Sequence, residues 1–225
     1  MKLQHRGFIF HCFFVFLGGL LLTMNTAIVA ETHYEAGKAY SVITPQQAPM
    51  SESGSASNKV EVLEVFWYGC PHCYRFQPYV KRWLEENADN ISYIRLPAVL
   101  NKSWAIHTRA YYTAEALGVL EEIHDPLFEA IHKGRRSLNN DETLMAFFEE
   151  FGVNNKDFRK AFYSFSVSGK VKQAEKLTRR YQVSGTPAVI IDNQYYTGPK
   201  QAGGSFEELI NVVDFLVTKA NNEDN

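Results

Sequence analysis

The sequence predicts an α/β fold: a mixed sheet with helices on both faces, interrupted by an all-helical insertion. Three observations carry this. A β-branched and aromatic run, Val60 to Tyr68, leads into a helical stretch and then into a second apolar run, Ile91 to Val99. Strand, helix and strand in that order make a parallel βαβ unit. From Ser103 to Tyr181 the apolar spacing turns helical, and after it the chain returns to sheet and ends in one amphipathic helix.

Each element has its own grounds. Lys2, His5 and Arg6 precede an apolar run from Phe8 to Leu22, and a less apolar stretch ends at Ala30. This is the pattern of an export signal over residues 1–30. An uncleaved anchor is the alternative, which Thr23, Asn25 and Thr26 weaken. Tyr34 to Ile43 suits a short edge strand. Residues 45–58, rich in Pro, Ser, Gly and Gln, suit a loop. Val60 to Tyr68 is a strand broken in polarity by Glu61 and Glu64. Gly69 permits a tight turn, and Pro71 fits a first helical position, where no N–H is needed. Tyr74 to Glu86 continues that helix, with Phe76, Val80, Trp83 and Leu84 as inner positions and Pro78 inside it.

Helices are expected over Trp104–Leu117, Leu120–His132, Asp141–Phe151, Asp157–Phe165 and Lys170–Tyr181. Gly118, Gly134, Gly152 and Gly169 punctuate them, with cap sites at Asn140-Asp141 and Asn154-Asn155. Ala188 to Ile191 is a buried strand, Asp192-Asn193 a hairpin turn and Gln194 to Thr197 its partner. Ser205 caps the last helix, to Ala220. The division expected is residues 31–99 and 176–225 as two parts of one sheet domain, with 100–175 as the insertion.

Composition excludes several functions. Removing residues 1–30 takes away Lys2 and Arg6 and no acid, so 23 basic residues fall to 21 against 25 acidic ones. That balance gives no support to nucleic-acid binding. His33, His107, His124 and His132 lack ligand spacing, and no metal site is expected.

The chemistry lies in Cys70-Pro71-His72-Cys73. Of three cysteines, Cys12 falls in the leader. The remaining pair is too few for a disulfide framework or a four-ligand zinc site. A cysteine where a strand ends and a helix begins meets unpaired N–H groups and the positive end of the helix dipole, and both favour thiolate. His72 adds to that if protonated or donating a hydrogen bond. Cys70 is then the attacked sulfur and Cys73, one turn deeper, the resolving thiol. A stable structural disulfide is the bland alternative. Gly185-Thr186-Pro187, between helix and strand, is the second constellation.

The run from Glu64 to Tyr74 (EVFWYGCPHCY) resembles the active-site segment of the DsbA family of periplasmic thiol:disulfide oxidoreductases. The stretch Tyr34 to Tyr40, the Gly185-Thr186-Pro187-Ala188 loop and the order of elements are also similar to that family. The resemblance implies a thioredoxin-like fold with an inserted all-helical domain and a periplasmic location. It implies no cofactor beyond a redox-active Cys70–Cys73 disulfide. Reduced exported proteins are the implied substrates, with reoxidation by a DsbB-type, quinone-linked membrane partner. It makes Cys70 the nucleophile, Cys73 its buried partner and His72 the residue that stabilises the reduced form. Pro187 becomes a cis-proline beside the cysteines, and Glu64 a buried acid assisting proton movement. Arg95 is a candidate partner of Glu64, and Trp67, Tyr68, Gly185, Thr186 and Pro187 are candidates for a peptide groove. Thr186 departs from the apolar residue of the best-known member. A reductase or isomerase on the same fold, and a non-catalytic peptide-binding or chaperone module, are the rival readings.

Overall fold

The computed structural model describes residues 34–45 and 59–223. The expected export signal, and the expected loop beyond Pro45, lie outside the described residues. The sheet runs in the order β1 (Ser41–Val42), β5 (Tyr195–Thr197), β4 (Ala188–Ile191), β2 (Val60–Phe66), β3 (Ile91–Pro97). Among the described strands only β2 and β3 pair in parallel, joined through helix α1 (Pro71–Asn87), as the βαβ reading requires. The other pairings are antiparallel. The hairpin between β4 and β5 turns at Asp192 and Asn193, both with positive φ (49° and 56°).

Central strand β2 is buried along its whole length and alternates between two cores. Val60 and Val62 face α1 and the C-terminal helix α7 (Phe206–Glu223), packing with Phe76, Val80 and Trp83 of α1 and Leu209 and Val213 of α7. Leu63 and Val65 face the other way, onto Ala174, Leu177 and Tyr181 of helix α6 (Phe165–Arg180) and its C-terminal end. At the end of β2 the chain enters a third core. There Phe66, Tyr68, Cys70 and Cys73 pack with residues of α2 (Ala105–Leu117), α3 (Leu120–His132), α4 (Asp141–Glu149) and α5 (Asn155–Phe162). The helical layer thus completes the wall behind the cysteines, and the described residues form one compact unit.

Three expectations shift. The edge strand foreseen over Tyr34–Ile43 shrinks to two residues, because Gly37 (φ +82°) turns the chain and bridges Ala36 to Tyr40. The fourth helix of the insertion ends at Phe162 and the next begins at Phe165, where Ser164 accepts from the N–H of Val167 at 3.1 Å. Gly169 therefore lies inside α6 and punctuates nothing. The same helix runs unbroken through the boundary expected between residues 175 and 176.

Candidate active site

The β2–α1 junction sets the cysteines. Cys70 is the N-cap of α1, in extended conformation, and Pro71 opens the first turn. The backbone N–H of Cys73 donates to Cys70 Sγ at 3.4 Å, so the sulfur takes the capping place that an Asn or Ser oxygen usually fills. Gly69 is required just before it. A Cβ there would lie 2.3 Å from the Trp67 indole, which folds over the turn and stacks on Trp104 (centroids 4.2 Å apart, planes 5° off parallel).

The two thiols are unequal. Cys70 falls to about 5, chiefly because the Cys73 thiol hydrogen-bonds to its sulfur. Burial opposes this, while the Thr186 side chain and the N–H groups of Cys73 and His72 add to it. Cys73, with none of its surface exposed, is pushed well above the ordinary thiol range, first by burial and then by the neighbouring Cys70. The Thr186 side chain acts on both sulfurs in the same downward direction, so its hydroxyl serves the pair.

The Thr186–Pro187 peptide bond is cis, and the Thr186 carbonyl accepts from Cys70 Sγ at 3.3 Å. Gly185, Thr186 and Pro187 line an open groove of about 500 Å³ together with His72, Tyr196 and Lys200. Lys200, in the turn-rich segment after β5, was not foreseen. The Gly198-Pro199 pair marks that turn in the sequence, but nothing local places Lys200 in this groove. His72 is exposed, and its Nδ1 accepts from the Arg75 guanidinium at 3.0 Å, since an arginine can only donate. Its backbone N–H acts on Cys70.

Two groove candidates are corrected. Tyr68 is completely buried and its hydroxyl pairs with His124 Nδ1 at 2.8 Å, so it is core. Trp67 is half-buried against Trp104 and does not line the groove.

Glu64 sits on the face of β2 that α1 covers, and it is buried. Gln77 of α1 donates to its Oε1 at 2.8 Å, and the Tyr93 hydroxyl of β3 donates to its Oε2. Burial pushes the carboxyl upward, and Tyr93, Arg95 and Gln77 pull it back. Arg95 stands opposite Glu64 in the β2–β3 pairing, but its ion pair is with Glu121, at 3.0 Å. It acts on Glu64 through charge, without a direct bridge to the carboxylate. Gln77 and Tyr93 were missed: a buried glutamine on a helix carries no periodic signal. Among the described residues no group of side chains is arranged to hold a metal ion.

Comparison with known proteins follows the same lines. Residues 91–207 match the DSBA-like thioredoxin domain. The chain is 37% identical over 186 residues to the thiol:disulfide interchange protein DsbA of Pseudomonas aeruginosa strain PAO1, covering 83% of this chain and 85% of that one. It is also 37% identical over 182 residues to DsbA of Burkholderia cepacia, covering 81% and 84%. Among solved structures, P. aeruginosa DsbA superposes with a TM-score of 0.77 at 34% identity, over 85% of this chain and 96% of that one. DsbA from Xylella fastidiosa gives 0.75 at 29% identity, over 84% and 98%. Sequence, fold and a cysteine pair set beside a cis-proline agree: the chain belongs to the DsbA family of disulfide oxidoreductases.

Proposed function

We propose that this protein is a dithiol oxidase of an exported compartment, the periplasm, that gives its Cys70–Cys73 disulfide to reduced proteins. The observation that carries the direction of electron flow is the capping geometry of Cys70: a sulfur that receives helix N–H groups is favoured as thiolate, and this stabilises the reduced protein. A substrate thiolate attacks Cys70 Sγ. The new intermolecular S–S bond forms as the Cys70–Cys73 bond breaks, and Cys73 leaves as thiolate and takes up a proton. The second substrate thiolate then attacks the substrate sulfur of the mixed disulfide and expels Cys70 as thiolate. The substrate has lost two electrons and gained a disulfide, and the protein is left reduced.

Cys70 acts here as the attacked sulfur and then as the leaving group, and Cys73 as its partner. Pro71 starts the helix that aims the N–H groups, and His72 borders the groove. The backbone at Gly185, Thr186 and Pro187 supports strand-like pairing with an extended peptide, with the Thr186 carbonyl already at the sulfur. Glu64 serves as the buried proton acceptor and donor for the deep thiol. Family membership supports reoxidation by a DsbB-type membrane partner, and no further cofactor enters the cycle.

Equilibrating the protein with glutathione tests the direction. The expected result is a pair reduced by even mildly reducing buffers, with peptide dithiols oxidised stoichiometrically and Cys70→Ser inactive. A pair that stays oxidised until strongly reducing conditions would instead favour a reductase. Peptide binding without dithiol oxidation would favour a chaperone module.

A further inference from the structure

The helical layer carries a charge pattern that thiol chemistry does not use. Helices α5 and α6 together hold eight basic side chains and two acidic ones, a formal +6 within a chain whose total is −2. All eight are exposed. At 100° per residue, Phe165, Lys172, Lys176 and Arg180 fall on one outward face of α6, over its whole length. Lys172 and Lys176 have no ion-pair partner among the described residues. Lys170, on the flank, is tied to Glu115, and Arg179 to Glu175. Phe165 heads the stripe and is 94% exposed, beside Tyr163 at 58%. A phenylalanine so fully in water at the first turn of a helix contributes nothing to the core.

We propose that the outer face of α6 docks on an anionic phospholipid surface, with Phe165 entering the headgroup layer and Lys172, Lys176 and Arg180 meeting lipid phosphates. The charge complementarity is direct. The shape argues for lipid over an acidic protein: protein partners need complementary packing around a buried centre. Here a lone aromatic stands at the end of a convex cationic helix, and a fluid, deformable anionic surface accepts that arrangement. Binding of this kind is reversible and salt-sensitive.

The test uses the protein as recovered from exporting cells, with variants sharing one N-terminus so that any leader contribution cancels. Wild type is expected to co-sediment with vesicles containing phosphatidylglycerol, far less with pure phosphatidylcholine, and to be released by high salt. The pair K172E/K176E should lower the bound fraction at least tenfold and Phe165→Ser several-fold. Both should keep the wild-type melting temperature and dithiol-oxidising rate, since neither position touches the cysteines. Equal binding to both lipids, or vesicle binding unchanged in both variants, overturns the proposal. So does capture on polyglutamate-coated beads with no binding to anionic vesicles.

Discussion

At the residue scale, the difference between two cysteines three positions apart is the chemistry. Cys70 is expected to titrate at about 5, read by thiolate absorbance near 240 nm, while Cys73 stays protonated through neutral pH. The consequence for stability has a definite sign. The folded value of Cys70 lies below that of an unfolded thiol, so its ionisation stabilises the reduced protein most above the unfolded value, and the gain disappears as pH falls to about 5. Melting reduced and oxidised protein side by side should show the reduced form losing ground over that window. The causes are also ranked. Because the Cys73 thiol acts more strongly than Thr186, Cys73→Ala should raise the Cys70 value more than Thr186→Val does, and Thr186→Val, which keeps both cysteines, should weaken the oxidant in the glutathione equilibrium. An unchanged titration in Thr186→Val would remove the hydroxyl from the account.

At the element scale, β2, α1 and the turn between them decide whether the cysteines are presented at all. Gly69→Ala drives a methyl into the Trp67 ring, and overpacking of that kind costs about 1–3 kcal/mol. Urea unfolding should show the loss, with a changed tryptophan signal from the disturbed stack on Trp104. Glu64 joins β2, α1 and β3 through Gln77 and Tyr93. Burial holds its carboxyl above the ordinary glutamate range. Its contribution to stability is therefore complete below that range and is lost as pH rises through the folded value. Glu64→Gln should flatten that part of the pH–stability curve, and if Glu64 relays the proton of Cys73 it should also slow dithiol oxidation. These elements were largely legible in the sequence. The β-branched run, Gly69 and Pro71 mark where the strand stops and the helix starts, and the CxxC spacing follows from helix geometry. What was not legible depends on long-range burial. Tyr68 looks like a groove residue until His124, far along the chain, takes its hydroxyl. Glu64 looks like a solvent-facing strand carboxylate until α1 covers it. Gly169 looks like a break because exposure lets a helix tolerate glycine, and Ser164 was the truer boundary signal.

At the scale of the whole molecule, the question is whether the helical layer is a separable insertion or part of the active site. The packing argues for the second. Phe66, Tyr68 and Cys73 are almost fully buried, in a core whose other members come from α2 to α5. Trp104, just ahead of α2, stacks on Trp67. His132 of α3 hydrogen-bonds the Tyr68 carbonyl at 2.8 Å, and Thr178 of α6 accepts from the N–H of Val99 at 3.2 Å. Each contact ties the helical layer to the segments that carry or flank the cysteines, and large aromatic side chains each lose roughly 3–5 kcal/mol when truncated in such a core. A domain bound this way should unfold as one cooperative unit. Urea titration of the reduced protein is expected to give the same midpoint by three readouts: far-UV circular dichroism, which reports mainly helix; tryptophan fluorescence, from the stack at the junction and from Trp83 under α7; and alkylation of Cys73, which is inaccessible while the wall stands. If fluorescence and alkylation moved together ahead of the circular dichroism, the active-site region would be opening while the helices stayed folded, and the layer would count as an independent domain. Coincidence of all three would mean that the helices are part of what keeps Cys73 out of water.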